Sequence, residues 1–187
     1  MNSVVECSSI EAVAGLLDIV GNPRPILDTT YGNGNFWADV QPDIGMDVNP
    51  ERARDLCADF TALPLSDSSM ACVVYDPPFH PNVGTREEAM FSTLGNNEKE
   101  LRVLFESGLK ECWRVSNHWV LVKCQGYIHN HAPQWMPLWA IAVCGEPFEW
   151  LVVTRKHKVI SSRWVSNKSL RRNHADYMLF SKRGVKR

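Results

Sequence analysis

The chain has 187 residues, of which 44% are hydrophobic and 22% charged, and its formal net charge is −1. That composition predicts one globular domain with a sizeable core and excludes a disordered or collagen-like chain. No apolar run reaches the roughly 18 residues of a membrane span, and residues 1–7 lack the basic-then-apolar order of a secretory leader. The six cysteines (Cys7, Cys57, Cys72, Cys112, Cys124 and Cys144) form no C-x-x-C, and several sit in apolar runs. They predict reduced thiols of a cytoplasmic protein, not a metal site or a disulfide frame. The near-zero net charge hides an asymmetry. Before residue 154 there are 20 acidic and 9 basic residues; from there on there are 11 basic and one acidic. A basic segment on an acidic body suggests a polyanionic partner, with a solvated basic tail as the alternative.

In chain order, Ile10, Val13, Ala14, Leu16, Leu17 and Val20 form a helical stripe that ends at Gly21-Asn22-Pro23. Residues 25–28 read as a short strand ending in Asp28, which runs into Thr29-Thr30-Tyr31-Gly32-Asn33-Gly34. Two glycines at that spacing permit a tight turn and close approach of a ligand to the backbone. Trp37 stands where a dinucleotide fingerprint needs its third glycine, and no G-K-[ST] follows, so neither an NAD site nor a P-loop is indicated. Trp37 is instead a candidate to flank a bound cofactor.

A second strand, residues 43–47, ends in Asp47, nineteen positions after Asp28. That is the spacing at which a second-strand carboxylate reaches a ribose in nucleoside-binding α/β folds. Asn49-Pro50 predicts a helix over residues 51–56. Asp59-Phe60 then offers an acceptor for an amino group and a ring, or equally a loop acid and a core ring.

The apolar run 71–75 predicts a buried strand that stops at Asp76-Pro77-Pro78-Phe79. Two prolines cannot continue a ladder, and each restricts its predecessor, so Asp76 is held at the mouth of a strand. A carboxylate, a fixed carbonyl and a ring face together suit a flat group bearing an NH2. Residues 80–97, with His80 and short helical character around Glu87 to Phe91, read as a loop placed to act as a lid. An amphipathic helix over 98–113, a strand over 119–124, a helix over 134–143 stopped by Gly145, and strands over 148–153 and 177–180 complete the chain. The pattern predicts an α/β, Rossmann-like, mostly parallel sheet with helices on both faces and a C-terminal antiparallel hairpin.

Asp28-x-x-x-Gly32-x-Gly34, then Asp47, then Asp59-Phe60, then Asp76-Pro77-Pro78-Phe79 resembles, in order and spacing, a known family. It is that of the S-adenosylmethionine-dependent amino-methyltransferases of nucleic-acid bases. The D-P-P-[YF] form is most similar to the adenine-N6 and cytosine-N4 DNA enzymes. The similarity spans roughly residues 25–185, and the wording around Tyr31 to Trp37 resembles small phage-encoded members. The sequence departs from the pattern in having Phe79 where tyrosine is commoner. It also has no stretch long enough for a separate target-recognition domain, so residues 1–187 read as a single methyltransferase domain.

The resemblance implies S-adenosylmethionine as cofactor, with Asp28, Tyr31, Gly32 and Gly34 around its methionine part. Asp47 would hold its ribose and Asp59 and Phe60 its adenine. It implies that Asp76, Pro77, Pro78 and Phe79 hold the target amino group, most closely adenine N6 of DNA. Modification of an RNA base (guanine N2 or adenine N6) stays open, as does an idle binding module. His80, Arg163, Lys168, Arg171 and Arg172 are candidate nucleic-acid contacts. Cytosine-C5 chemistry would need a Pro-Cys pair, and none occurs. His129 and His131 have no ligand partner at metal spacing, and no metal is expected.

Overall fold

The computed structural model describes residues 3–78, 98–129, 132–154 and 174–184. Ten strands follow one another through them: β1 (Val4–Glu6), β2 (Ile26–Asp28), β3 (Ile44–Asp47), β4 (Leu56–Cys57), β5 (Met70–Tyr75), β6 (Ser116–Cys124), β7 (Tyr127–His129), β8 (Ala132–Gln134), β9 (Glu149–Thr154) and β10 (His174–Ser181). Three helices, α1 (Ser9–Ile19), α2 (Glu98–Val115) and α3 (Met136–Cys144), accompany them. Eight strands make one sheet in the order β1-β9-β10-β6-β5-β2-β3-β4, and β7 and β8 form a separate antiparallel hairpin. All pairings of the large sheet are parallel except those of β10, which runs antiparallel to both β6 and β9. The expected mostly parallel sheet with a terminal antiparallel hairpin is the one observed.

Alternation along the central strands builds two cores. Val73 and Tyr75 of β5 face one side with Val120, Val122, Met178, Phe105 and Leu109. Cys72 and Val74 face the other with Val13, Leu16, Leu17, Leu121 and Tyr177. A strand buried on both faces reads as an unbroken apolar run, which is why 71–75 is legible in the sequence. α2 and α3 cover the first face, and α1 covers the second. α1 starts at a capping box in which the Ser8 hydroxyl accepts from the Glu11 amide at 3.2 Å and Glu11 accepts from the Ser8 amide at 2.7 Å. α3 has Pro137 in its first turn and ends at Gly145, whose φ of +82° suits a residue without Cβ.

Several local expectations are corrected. No helix forms over 51–56. Arg52 and Ala53 make one turn on the Asn49 carbonyl, Asp55 turns back to accept from the Gly45 amide at 2.7 Å, and Leu56–Cys57 pairs with β3. Six residues are too few to outweigh that pairing. Residues 29–43, which hold the glycine turn after β2, are turns, with Phe36 and Trp37 filling the α1 side of the sheet. The helix expected from 134 starts at Met136, because 132–134 is taken by β8. Cys72, Cys112 and Cys124 are buried, but Cys57 is exposed.

Candidate active site

The chain runs β2, β3, β4 outward in one direction and then returns to place β5 on the other side of β2. Ligands in open α/β sheets bind at such a reversal, beyond the carboxyl ends of the strands. Asp28 ends β2 and Asp76 follows the end of β5, so the two acids flank that reversal. Their strands are locked in register by Asp28 opposite Val74. The Thr29 amide and hydroxyl both donate to the Val74 carbonyl at 3.0 Å.

Asp28 is 1% exposed. It accepts from the Trp37 indole at 2.7 Å and from the Thr30 amide at 2.9 Å. Burial pushes its carboxyl up to about 7, against the lowering effect of those hydrogen bonds; the nearby charge of Asp76 adds to the rise. Asp28 therefore anchors the glycine turn, and Trp37, itself buried, is its hydrogen-bond partner.

The turn itself is held by Asp47. Its Oδ2 accepts from the Gly32 amide at 3.0 Å and its Oδ1 from the Asn49 amide at 2.8 Å. Gly32 and Gly34 have φ of +56° and +68°, and a Cβ on Gly34 would lie 2.8 Å from the Tyr31 hydroxyl. Tyr31 is partly exposed. Its ring lies across Gly45 of β3, Arg54 sits over it at 5.8 Å, and its hydroxyl donates to Gln41 at 3.1 Å. Asp59 accepts from the amide and hydroxyl of Thr61, each at 2.8 Å, in an exposed turn. Phe60 is the core ring of the two readings open to it. It is 3% exposed and packs edge-on against Tyr75 with ring centroids 5.5 Å apart.

Asp76 is tied to this assembly twice. Its amide donates to the Thr30 hydroxyl at 2.8 Å, and its Oδ2 accepts from the Lys123 ammonium at 2.8 Å. Lys123 is on β6, beside β5, and its ammonium also lies 4.8 Å from the centre of the Phe36 ring. The pair is largely buried, with side-chain exposures of 12% for Lys123 and 21% for Asp76. Sequence reasoning missed Lys123 as a site residue. The available signal was a lone cation near the end of an otherwise apolar strand, where burial demands a partner. Pro77 and Pro78 follow Asp76 at the strand mouth.

Burial pushes the Cys72 thiol up to about 12 and raises Cys112 and Cys124 as well, which makes them poor nucleophiles. Phe79, His80, the loop 80–97, Arg163, Lys168, Arg171 and Arg172 lie outside the described residues. Among the described residues, no group of three or more His, Cys, Asp or Glu is set to hold a metal ion, and no helix is long and apolar enough to cross a membrane.

No protein-family model and no curated protein matches the sequence. Solved structures do match. A Thermotoga maritima S-adenosylmethionine-dependent methyltransferase, described as a possible histamine N-methyltransferase, is 13% identical. It aligns with a TM-score of 0.53 over 94% of this chain and 88% of its own. A Pyrococcus horikoshii OT3 protein is 12% identical with a TM-score of 0.54 over 92% of this chain and 88% of its own. The magnesium protoporphyrin IX methyltransferase of Synechocystis PCC 6803, solved with bound S-adenosylmethionine, is 10% identical with a TM-score of 0.50 over 92% and 77%. The likeness is one of architecture: this chain has the fold of the S-adenosylmethionine-dependent methyltransferases.

Proposed function

We propose that this chain is an enzyme that methylates an exocyclic amino group of a nucleic-acid base, adenine N6 of DNA first, using S-adenosylmethionine. The observation that carries the reading is the setting of Asp76. A carboxylate sits at the end of the central strand, directly before two prolines, oriented by Thr30 and Lys123 beside the glycine turn.

The cofactor fits the residues present. The positive φ of Gly32 and Gly34 leaves the turn without side chains where an amino acid moiety would approach. The Asp47 carboxylate holds the turn from the end of β3, and each of its oxygens retains acceptor capacity for a ribose hydroxyl. When bound, S-adenosylmethionine supplies a methyl group made electrophilic by its sulfonium sulfur.

The chain's own residues do the rest by positioning. An aromatic amino group is a poor nucleophile because its lone pair is delocalised into the ring. Asp76 and the Pro77 carbonyl accept its two N–H bonds, which favours a pyramidal nitrogen and turns the lone pair toward the methyl carbon. Pro77 and Pro78 keep these acceptors rigid, and Phe79 supplies a stacking face for a base drawn out of its helix. The proton leaves after transfer, so Asp76 need not be a strong base; orientation carries most of the rate. Contacts such as Arg163, Lys168, Arg171 and Arg172 to phosphates would give affinity with little sequence preference.

Calorimetry tests the cofactor half. The wild type should bind S-adenosylmethionine, and Gly34→Leu should not, because a side chain there meets Tyr31 and strains the turn. Asp76→Ala should retain that binding and lose methyl transfer by at least about a hundredfold. Near wild-type turnover in Asp76→Ala would overturn the mechanism.

A further inference from the structure

The parallel ladders on the two sides of β5 stop before Asp76. Their last register partners are Asp28 opposite Val74 and Tyr75 opposite Val122. Past that point two neighbouring threonine hydroxyls take over from the ladder. Thr29 donates to the Val74 carbonyl at 3.0 Å, and Thr30 accepts from the Asp76 amide at 2.8 Å. Pro77 and Pro78 carry no N–H, so the Asp76 amide is the last backbone donor before residue 79. The Thr30 hydroxyl holds that donor.

We propose that Thr30 is a positioning residue that aims the Pro77 carbonyl, the second acceptor of the target amino group; the inference rests on the function proposed above. Thr30 and Lys123 act on different parts of Asp76. Lys123 reaches its carboxylate at 2.8 Å, whereas Thr30 reaches its main chain. An ion pair to the carboxylate acts across two side-chain torsions and does not set the backbone. The two prolines then carry the backbone position forward. The ring of Pro77 locks its own φ and narrows the choices of Asp76, so fixing the Asp76 amide leaves the Pro77 carbonyl little freedom.

The Thr30 hydroxyl is itself oriented. It accepts from the Asp76 amide, so its own hydrogen must point to another acceptor. Asp28 Oδ1 lies 3.4 Å from it, a long hydrogen bond, and the same oxygen accepts from the Thr30 amide at 2.9 Å. The branch at Cβ narrows the choice of rotamer further. One side chain at the start of the glycine turn thereby ties the end of β2 to the acceptors beyond β5. Valine in its place would keep the shape and leave a part-buried N–H without its partner. Serine would keep the acceptor.

The test measures methyl transfer from S-adenosylmethionine to single-stranded and duplex oligonucleotides containing adenine, with cofactor affinity read by calorimetry on the same preparations. Turnover of Thr30→Val should fall about ten- to a hundredfold, as for a misplaced reacting group. Its affinity for S-adenosylmethionine should stay within about threefold of the wild type, and Thr30→Ser should recover most of the turnover. A merely structural role would lower melting temperature and cofactor affinity without that split. Combined with Lys123→Met, the loss should approach the product of the two single losses, because they fall on different acceptors. Should Thr30→Val fail to fold, Thr30→Ala, which cannot crowd the turn, takes its place with the same expected loss. Wild-type turnover without the hydroxyl would overturn this inference and leave the proposed function standing. So would no recovery in Thr30→Ser, or a double variant no slower than Lys123→Met. A wild type that transfers no methyl group to any nucleic acid would overturn both.

Discussion

Asp28 shows how one residue serves the turn at a cost. Its folded carboxyl titrates near 7, pushed up chiefly by burial from an ordinary value of 3.8. Between those values the native chain binds a proton that the unfolded chain has released, so stability falls as pH rises and levels off above about 7. A rise of that size corresponds to about 4 kcal/mol. Urea unfolding from pH 4 to 8 should show the stability of the wild type declining relative to Asp28→Asn by up to that amount; parallel curves would refute the assignment. Lys123 works the other way, as a charge placed to steady another. Lys123→Met leaves Asp76 without the ammonium 2.8 Å away. The loss should be about 1–3 kcal/mol of stability, between the values for exposed and fully buried pairs. Turnover should fall about ten- to a hundredfold if orientation of Asp76 carries the rate, with partial recovery in Lys123→Arg.

The helices and strands hold this site through close contacts. Gly108 lies on the buried stripe of α2 with Leu101, Phe105, Leu109 and Cys112. A Cβ there would land on the Tyr75 hydroxyl and the Phe60 ring. Gly108→Ala improves helix propensity by about 1 kcal/mol, yet it should destabilise the protein by about 1–3 kcal/mol through overpacking. A thermal melt at or above the wild-type temperature would contradict that packing. The long elements are legible in the sequence because their periodicity is strong: the α2 stripe, the apolar run of β5, the helical stripe of α1. β1 is invisible there, since three partly exposed residues become a strand only by pairing Val4 with Val152, far along the chain. The β7/β8 hairpin is likewise too short to announce itself. Asp28, Asp47 and Asp76 stand out because each lies at the end of a strand. Their partners Thr30 and Lys123 do not, because hydrogen bonds across 46 or 47 positions leave no local pattern.

For the whole molecule, strand order does what no single motif does. Reversal of the chain at β2 and β5 brings Asp28, the glycine turn, Asp47 and Asp76 to one edge of the sheet, and the antiparallel β10 brings Asp176 to the neighbouring rim. Under the proposed function, the basic segment after residue 154 supplies the phosphate contacts that the acidic body lacks. The chemistry stands or falls on transfer of a methyl group to a base amino group held by Asp76. The decisive assay incubates the protein with S-adenosylmethionine tritiated in its methyl group and with duplex DNA, single-stranded DNA and RNA, followed by nucleoside analysis. Label should appear in N6-methyladenine from DNA with the wild type and should be absent with Asp76→Ala. Label only in a small molecule or a protein, or equal label from the wild type and the Asp76→Ala variant, would contradict the mechanism.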